Sequence, residues 1–79
     1  MARLRRLSGA EVRRLLERNG FQRVRRRGSH VVMQKRSGGE TVTVPVPDHR
    51  ELAVGTMRAI IRQSGLPREE FEVDSPRRV

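Results

Sequence analysis

A chain of this size and composition can build only one thin hydrophobic core. Apolar residues make up 34% of the 79 positions, about 27 side chains, which excludes an enzyme with a deep, dry pocket. Cysteine is absent, so disulfides, thiolate metal sites and a cysteine nucleophile are excluded as well. We expect one domain over residues 1–79, with its core between about residues 7 and 71 and a frayed tail over residues 74–79.

Targeting segments are not apparent in the sequence. No apolar run approaches the ~18 residues of a membrane span, and the basic start from Met1 to Leu7 lacks the apolar stretch of a signal peptide. The prediction is a cytoplasmic protein that does not bind membranes.

Basic charge is concentrated in the first half of the chain. The 18 basic and 9 acidic residues give a net charge of +9, and residues 1–36 alone hold 12 basic and 2 acidic side chains. All but one of the basic residues are arginine, whose guanidinium group can bind phosphate in a bidentate manner. There are only two Phe and no Tyr or Trp, so stacking of bases on aromatic rings is not expected. The charge predicts a nucleic acid partner that is recognised through its backbone and shape.

The first predicted helix has several independent start and stop signals. Ser8 and Glu11 have the capping-box spacing, and Leu7 before the cap can pack on Val12. Apolar residues then recur at helical spacing until Gly20, because glycine readily adopts the left-handed conformation that ends a helix. These positions predict an amphipathic helix of about three turns.

Three short strands are predicted next, separated by turns at residues 28–29 and 37–39. The first strand, residues 22–27, is almost wholly polar and is expected to form a sheet edge lined with guanidinium groups. The second, residues 30–36, has apolar residues on both faces, so the sequence does not tell which face the helices cover. The third, residues 40–46, alternates threonine and valine and points its valines one way.

A second helix and one short helical turn complete the pattern. Thr56 is expected to cap or open the helix, whose buried stripe comprises Met57, Ile60 and Ile61. The helical turn beyond it brings Phe71 to the core. The order helix, strand, strand, strand, helix predicts an α+β two-layer sandwich with both helices on one sheet face, which is also the order of double-stranded-RNA-binding domains.

His30 is the strongest candidate for chemistry. It occupies the first position of the second predicted strand, directly after the turn Gly28-Ser29 and near the arginines at residues 25–27. An imidazole can take a proton from a ribose 2′-hydroxyl or give one to a leaving 5′-oxygen, while guanidinium groups hold the phosphate. The alternative is a histidine that only binds phosphate or packs at the sheet edge.

Few other residues offer chemistry. His49 follows Asp48 in the loop after the third strand and is a second candidate acid or base, although a solvated loop histidine fits the same pattern. No group of residues has the spacing of a metal site, so neither a metal nor another cofactor is expected. The candidate RNA contacts are the basic side chains of the first two strands, namely Arg23, Arg25, Arg26, Arg27, Lys35 and Arg36.

Six short blocks of the sequence, taken in order, match a known pattern. They are Leu7-Ser8-Gly9, Asn19-Gly20-Phe21, Gly28-Ser29-His30, Thr43-Val44-Pro45, the segment from Gly55 to Gly65, and Glu69-Glu70-Phe71. Each block alone is weak, but their order and spacing together are specific. The chain resembles the HicA toxins, also called the YcfA family, over nearly its whole length.

The resemblance implies an mRNA interferase, the toxin of a type II toxin–antitoxin system, with a double-stranded-RNA-binding-like fold. It also implies that His30 is catalytic, that Gly28 and Ser29 shape its turn, and that a HicB-type antitoxin masks the active site. Residues 53–56, before the first arginine of the second helix, carry no basic side chain, so long duplex RNA is not the expected substrate. The alternatives are a non-catalytic RNA-binding or adaptor module and a former toxin that only binds its antitoxin.

Overall fold

The fold is an antiparallel three-stranded sheet with two helices packed on it. The computed structural model describes residues 3, 4 and 6–73, and the predicted tail over residues 74–79 lies outside them. The elements are β1 (Arg3–Leu4), α1 (Gly9–Arg18), β2 (Gln22–Arg27), β3 (His30–Ser37), β4 (Glu40–Pro47), α2 (Val54–Ser64), a 3-10 helix (Arg68–Phe71) and β5 (Glu72–Val73). The predicted α+β order is confirmed, and β1 and β5 add a short antiparallel pair that the sequence pattern did not predict. Among the described residues, no helix has the length and apolar character needed to cross a membrane.

Helix α1 begins and ends at the predicted signals. The Ser8 hydroxyl accepts a hydrogen bond from the Glu11 backbone N–H at 3.0 Å, and the Glu11 carboxylate accepts one from the Ser8 N–H at 2.8 Å. The helix ends before Gly20, whose φ of 95° lies in the left-handed region. The next residue, Phe21, folds back so that its N–H donates to the Leu16 carbonyl at 3.0 Å.

Helix α2 begins earlier than predicted. Its N-cap is Ala53, which makes no side-chain capping bond, so the prediction that Thr56 caps or opens the helix is wrong. The start is set by tertiary contact, because Leu52 is buried in the core and its N–H donates to the Leu7 carbonyl at 2.8 Å. The helix can therefore begin directly after this anchor, without a capping side chain. Its end at Gly65, with a left-handed φ of 74°, is the predicted one.

The two faces of the sheet are unequal. Val31 and Met33 of β3 and Val44 and Val46 of β4 belong to one buried cluster with apolar residues of α1 and α2. The helices therefore cover the face that bears Val31 and Met33, which decides the question that the sequence left open. The opposite face carries His30 and the side chains that alternate with the core residues, and it is not covered by any element of the described chain.

Strand β2 is the predicted arginine-lined edge, and its irregular pairing decides where its arginines lie. All six of its residues are exposed, and the pairing register with β3 shifts between Arg23 and Arg25, so the ladder skips Val24. Because of this bulge, Arg25 pairs opposite Val32 and shares the uncovered face with Arg27, whereas Arg23 pairs opposite Met33 on the helix side.

Gly9 permits a close approach between the start of α1 and the end of β4. Its N–H donates to the His49 carbonyl at 2.8 Å, and a Cβ atom added at this position would overlap the carbonyl oxygen of Pro47. That backbone is fixed by the sheet, so it cannot move away cheaply. A glycine is required here by space.

Gly9→Ala should therefore lower the free energy of unfolding by roughly 1–3 kcal/mol through overpacking. The matched control is Gly55→Ala in the first turn of α2, where an added Cβ meets no atom within 4 Å. That change should raise stability by about 0.5–1 kcal/mol, because alanine favours helix over glycine. Urea unfolding of both variants measures the difference, and equal effects would contradict the steric account.

Candidate nucleic-acid site on the uncovered sheet face

His30 lies at one end of the uncovered face, where β3 begins. Across the sheet it pairs opposite Arg27 of β2 and Pro47 of β4, and its side chain is exposed. The preceding turn contains Gly28, whose φ of 58° is in the left-handed region that favours glycine. An added Cβ at Gly28 would meet no atom within 4 Å, so conformation rather than space requires this glycine.

His30 lines an open depression of about 310 Å³. The residues that line it are Arg25, Arg27, His30, Val32, Thr43 and Pro45. One imidazole and two guanidinium groups therefore face the same volume, beside three uncharged side chains. Such a set can hold an anion and exchange a proton with it.

The turn before His30 is fixed by the loop that follows β4. The Ser29 carbonyl accepts a hydrogen bond from the Asp48 backbone N–H at 2.7 Å. The Asp48 carboxylate accepts one from Arg26 Nη2 at 2.7 Å and one from Arg13 Nη1 at 3.2 Å. These two bonds, the Arg26 bond foremost, hold the pKa of Asp48 below its ordinary value. Asp48 thus joins α1, β2 and the His30 turn.

The six predicted RNA contacts divide into three groups. Arg25 and Arg27 line the depression with His30, while Arg26 is on the helix side in its ion pair with Asp48. Arg23, Lys35 and Arg36 lie towards the other end of the sheet, and Arg36 is about 20 Å from His30 along β3 at ~3.3 Å per residue.

A second depression marks that other end of the sheet. It has a volume of about 350 Å³ and is lined by Gly20, Gln22, Val24, Gln34, Lys35 and Arg36. The Lys35 ammonium lies 5.7 Å from the centre of the Phe21 ring, a cation–π contact that holds it near the helix side. The sequence-predicted basic residues therefore do not form one cluster around His30.

His49, the other histidine, does not share the depression of His30. Its side chain is exposed and does not line the His30 depression, and its backbone carbonyl accepts the Gly9 hydrogen bond. Within residues 3–4 and 6–73, no three His, Cys, Asp or Glu residues lie together in a way that could hold a metal ion.

Sequence reasoning missed the supporting residues of this site. Arg13 and Asp48 are 35 positions apart, and nothing in either local pattern indicates that they form an ion pair. The sequence pattern of Thr43-Val44-Pro45 matched the family but assigned no role to Thr43 or Pro45. The alternation of β4 was the one available signal, because it places both residues on the face opposite the buried valines.

Comparison with known proteins gives one family match. A family model described as the HicA toxin of bacterial toxin-antitoxin matches residues 9–66. The matched stretch runs from the first residue of α1 to just beyond the end of α2, so it includes the whole three-stranded sheet and the His30 depression. No curated protein sequence matches the chain.

Asp48→Asn should remove a stabilising contribution that depends on pH. Because the pKa of Asp48 is lowered in the folded state, this contribution is fully present above the unfolded-state pKa and is lost as pH falls through the folded-state pKa. Urea unfolding of wild type and Asp48→Asn should therefore differ at neutral pH and converge in strong acid. Glu40→Gln at the exposed start of β4 is the control, and a pH-independent difference for Asp48→Asn would contradict the ion-pair account.

Proposed function

The chain belongs to the HicA toxin family of bacterial toxin–antitoxin systems, and from this premise we propose that it is an mRNA interferase in which His30 acts on RNA phosphodiesters. The observation that carries the proposal is the depression that His30 shares with Arg25 and Arg27. This depression opens on the uncovered sheet face, so a polyanionic chain can reach it without displacing any described element.

The proposed reaction needs an acid or base and a basic cradle. His30 takes the proton of a ribose 2′-hydroxyl, the 2′-oxygen attacks phosphorus, and the bond from phosphorus to the 5′-oxygen breaks as that oxygen gains a proton. The products are a 2′,3′-cyclic phosphate and a 5′-hydroxyl. A second assignment makes His30 the acid that protonates the leaving 5′-oxygen, in which case water takes the proton of the 2′-hydroxyl. No metal takes part in this scheme.

The arginines of β2 have different roles in the proposal. Arg25 and Arg27 hold the non-bridging oxygens of the scissile phosphate and offset the charge that develops in the transition state. Arg26 acts indirectly, because its bond to Asp48 supports the loop that fixes the Ser29 carbonyl. Gly28 and Ser29 are positioning residues for the imidazole.

One further basic residue extends the proposed RNA path beyond the scissile phosphate. Arg36 lies on the uncovered face near the far end of the sheet, where it can meet a phosphate several nucleotides from the cut. Arg23 and Lys35 lie on the helix side and add to RNA binding only through long-range charge. All three residues would raise affinity without taking part in proton transfer.

We also propose that the antitoxin is of the HicB type and acts by covering the His30 depression. A bound protein on the uncovered face would exclude RNA from the imidazole and from both arginines at once. An acidic or hydrogen-bonding surface on the antitoxin would match the basic charge concentrated there.

His30→Ala should lower the rate of RNA cleavage by about 10²–10⁴-fold, because it removes the only side chain proposed for proton transfer. Expression of the variant without antitoxin should then leave growth and mRNA levels intact. His49→Ala is the matched control and should cleave like wild type, since its side chain lies outside the depression. Wild-type cleavage by His30→Ala would contradict catalysis and favour the non-catalytic RNA-binding module.

Arg25→Gln and Arg27→Gln should each weaken RNA binding and make it less dependent on salt. For single strands, loss of one phosphate contact reduces the slope of log affinity against log salt by about 0.7. Arg58→Gln, at an exposed position of α2, is the control of equal charge change. Titrations by fluorescence anisotropy at several salt concentrations measure the slopes, and the same slope for all four proteins would exclude these arginines as phosphate contacts.

A further inference from the structure

Val32 is buried although it lies outside the hydrophobic core. Its exposed fraction is 5%, yet it does not belong to the cluster that joins the helices to the sheet. It points instead to the uncovered face, between Arg25 of β2 and Pro45 of β4, with which it pairs across the sheet. Its burial therefore comes from neighbouring side chains on that face.

These side chains divide the His30 depression into a charged part and an uncharged part. On the uncovered face, His30 pairs across the sheet with Arg27. Two residues further along β3, Val32 pairs with Arg25 on one side and Pro45 on the other. These two sets of paired residues are about 7 Å apart along β3. One part of the depression is thus ionic, and the adjoining part offers aliphatic carbon.

The uncharged part offers few hydrogen-bonding groups to a polar ligand. The Thr43 hydroxyl accepts a hydrogen bond from Gln34 Nε2 at 3.3 Å and keeps its O–H as a donor, whereas proline has no N–H to donate. A phosphate would gain at most this one hydrogen bond, and burying an anion against aliphatic carbon costs solvation. A flat, weakly polar ring would gain from it through apolar contact.

We propose that the exposed side chains of Pro45 and Thr43, with the nearly covered Val32 beneath them, form a subsite for one unpaired nucleobase next to the scissile phosphate. This inference rests on the proposed function and deepens it by assigning a surface that contacts one base beside the bond that is cut. A nucleobase has a flat apolar face that fits the aliphatic floor, and the guanidinium plane of Arg25, which pairs opposite Val32, can stack on the ring. A base held in a duplex cannot reach this floor, because its faces are covered by its stacking neighbours.

With this subsite, the scarcity of aromatic residues no longer implies that bases are not contacted. The sequence predicts recognition through backbone and shape alone, because it lacks the aromatic rings that usually stack bases. The uncovered face instead combines an aliphatic floor with guanidinium planes. One base is therefore contacted directly, next to the bond that is cut.

The first test compares RNAs that differ only in the presence of a base. The cut made by wild-type protein is mapped in an unstructured RNA, and short single strands around it are made with one abasic nucleotide on either side of the cut. We expect one of these abasic positions to lower kcat/KM by about tenfold, because the substrate then loses the apolar contact of the base with the floor. Annealing the RNA to its complement should abolish cleavage.

The second test asks whether the exposed Pro45 ring is the partner of that base. Pro45→Ala removes most of the ring and should weaken cleavage of intact RNA by a similar factor. It should cause no further loss with the abasic RNA, because the contact is already missing. Pro67→Ala makes the same change at an exposed position before the 3-10 helix, outside the depression, and should behave as wild type. Thermal unfolding checks that both variants are folded.

The outcomes separate the subsite from the ribonuclease proposal. If wild type cuts RNA but abasic and intact strands are cut equally at every position, or if duplex is cut as well as single strand, the subsite is excluded and the ribonuclease stands. If wild type cuts no RNA, the ribonuclease proposal fails. In that case the subsite is tested by comparing the affinities of an intact single strand and an abasic ribose-phosphate chain of equal length. A preference of about tenfold for the intact strand supports the subsite, and equal affinities exclude it.

Discussion

The candidate site depends on one junction, the loop after β4, which contacts both the start of α1 and the turn before His30. The Asp48 N–H donates to the Ser29 carbonyl, and the Gly9 N–H donates to the next carbonyl of the loop. The Asp48 carboxylate adds an ion pair with Arg26 on the edge strand. The core determines where the helices and the sheet lie, but this junction orients the turn that presents the imidazole. A small protein with one thin core thereby holds a surface site in place.

The parts of the fold that follow from local patterns were predictable. The Ser8–Glu11 capping box, the glycine at the end of each helix and the alternating valines of β4 each involve residues close in sequence, and each is confirmed. The exposed arginine edge was also predictable, because a strand with one apolar residue has little to contribute to a core. The position of His30 at the start of β3 was predictable too, because Gly28 marks the turn that precedes the strand.

The remaining features depend on contacts between distant segments and were not predictable. The bulge at Val24 decides that Arg25 shares a face with His30, yet the run of polar residues in β2 gives no sign of it. Both faces of β3 carry apolar residues, so only packing could distinguish the core residue Met33 from Val32 on the uncovered face. The start of α2 illustrates the same limit, since a buried neighbour sets it and no capping side chain marks it.

If His30 cleaves RNA through attack of the 2′-hydroxyl, the chemistry of the cut ends will show it. Purified protein is incubated with single-stranded RNA in the presence and absence of a chelator, and the termini are identified by mass spectrometry. Attack by the 2′-hydroxyl predicts 2′,3′-cyclic phosphate and 5′-hydroxyl ends, the same rate with chelator, and no cleavage where the nucleotide before the cut is 2′-deoxy. Cleavage that requires a metal ion and leaves 5′-phosphate ends would contradict it.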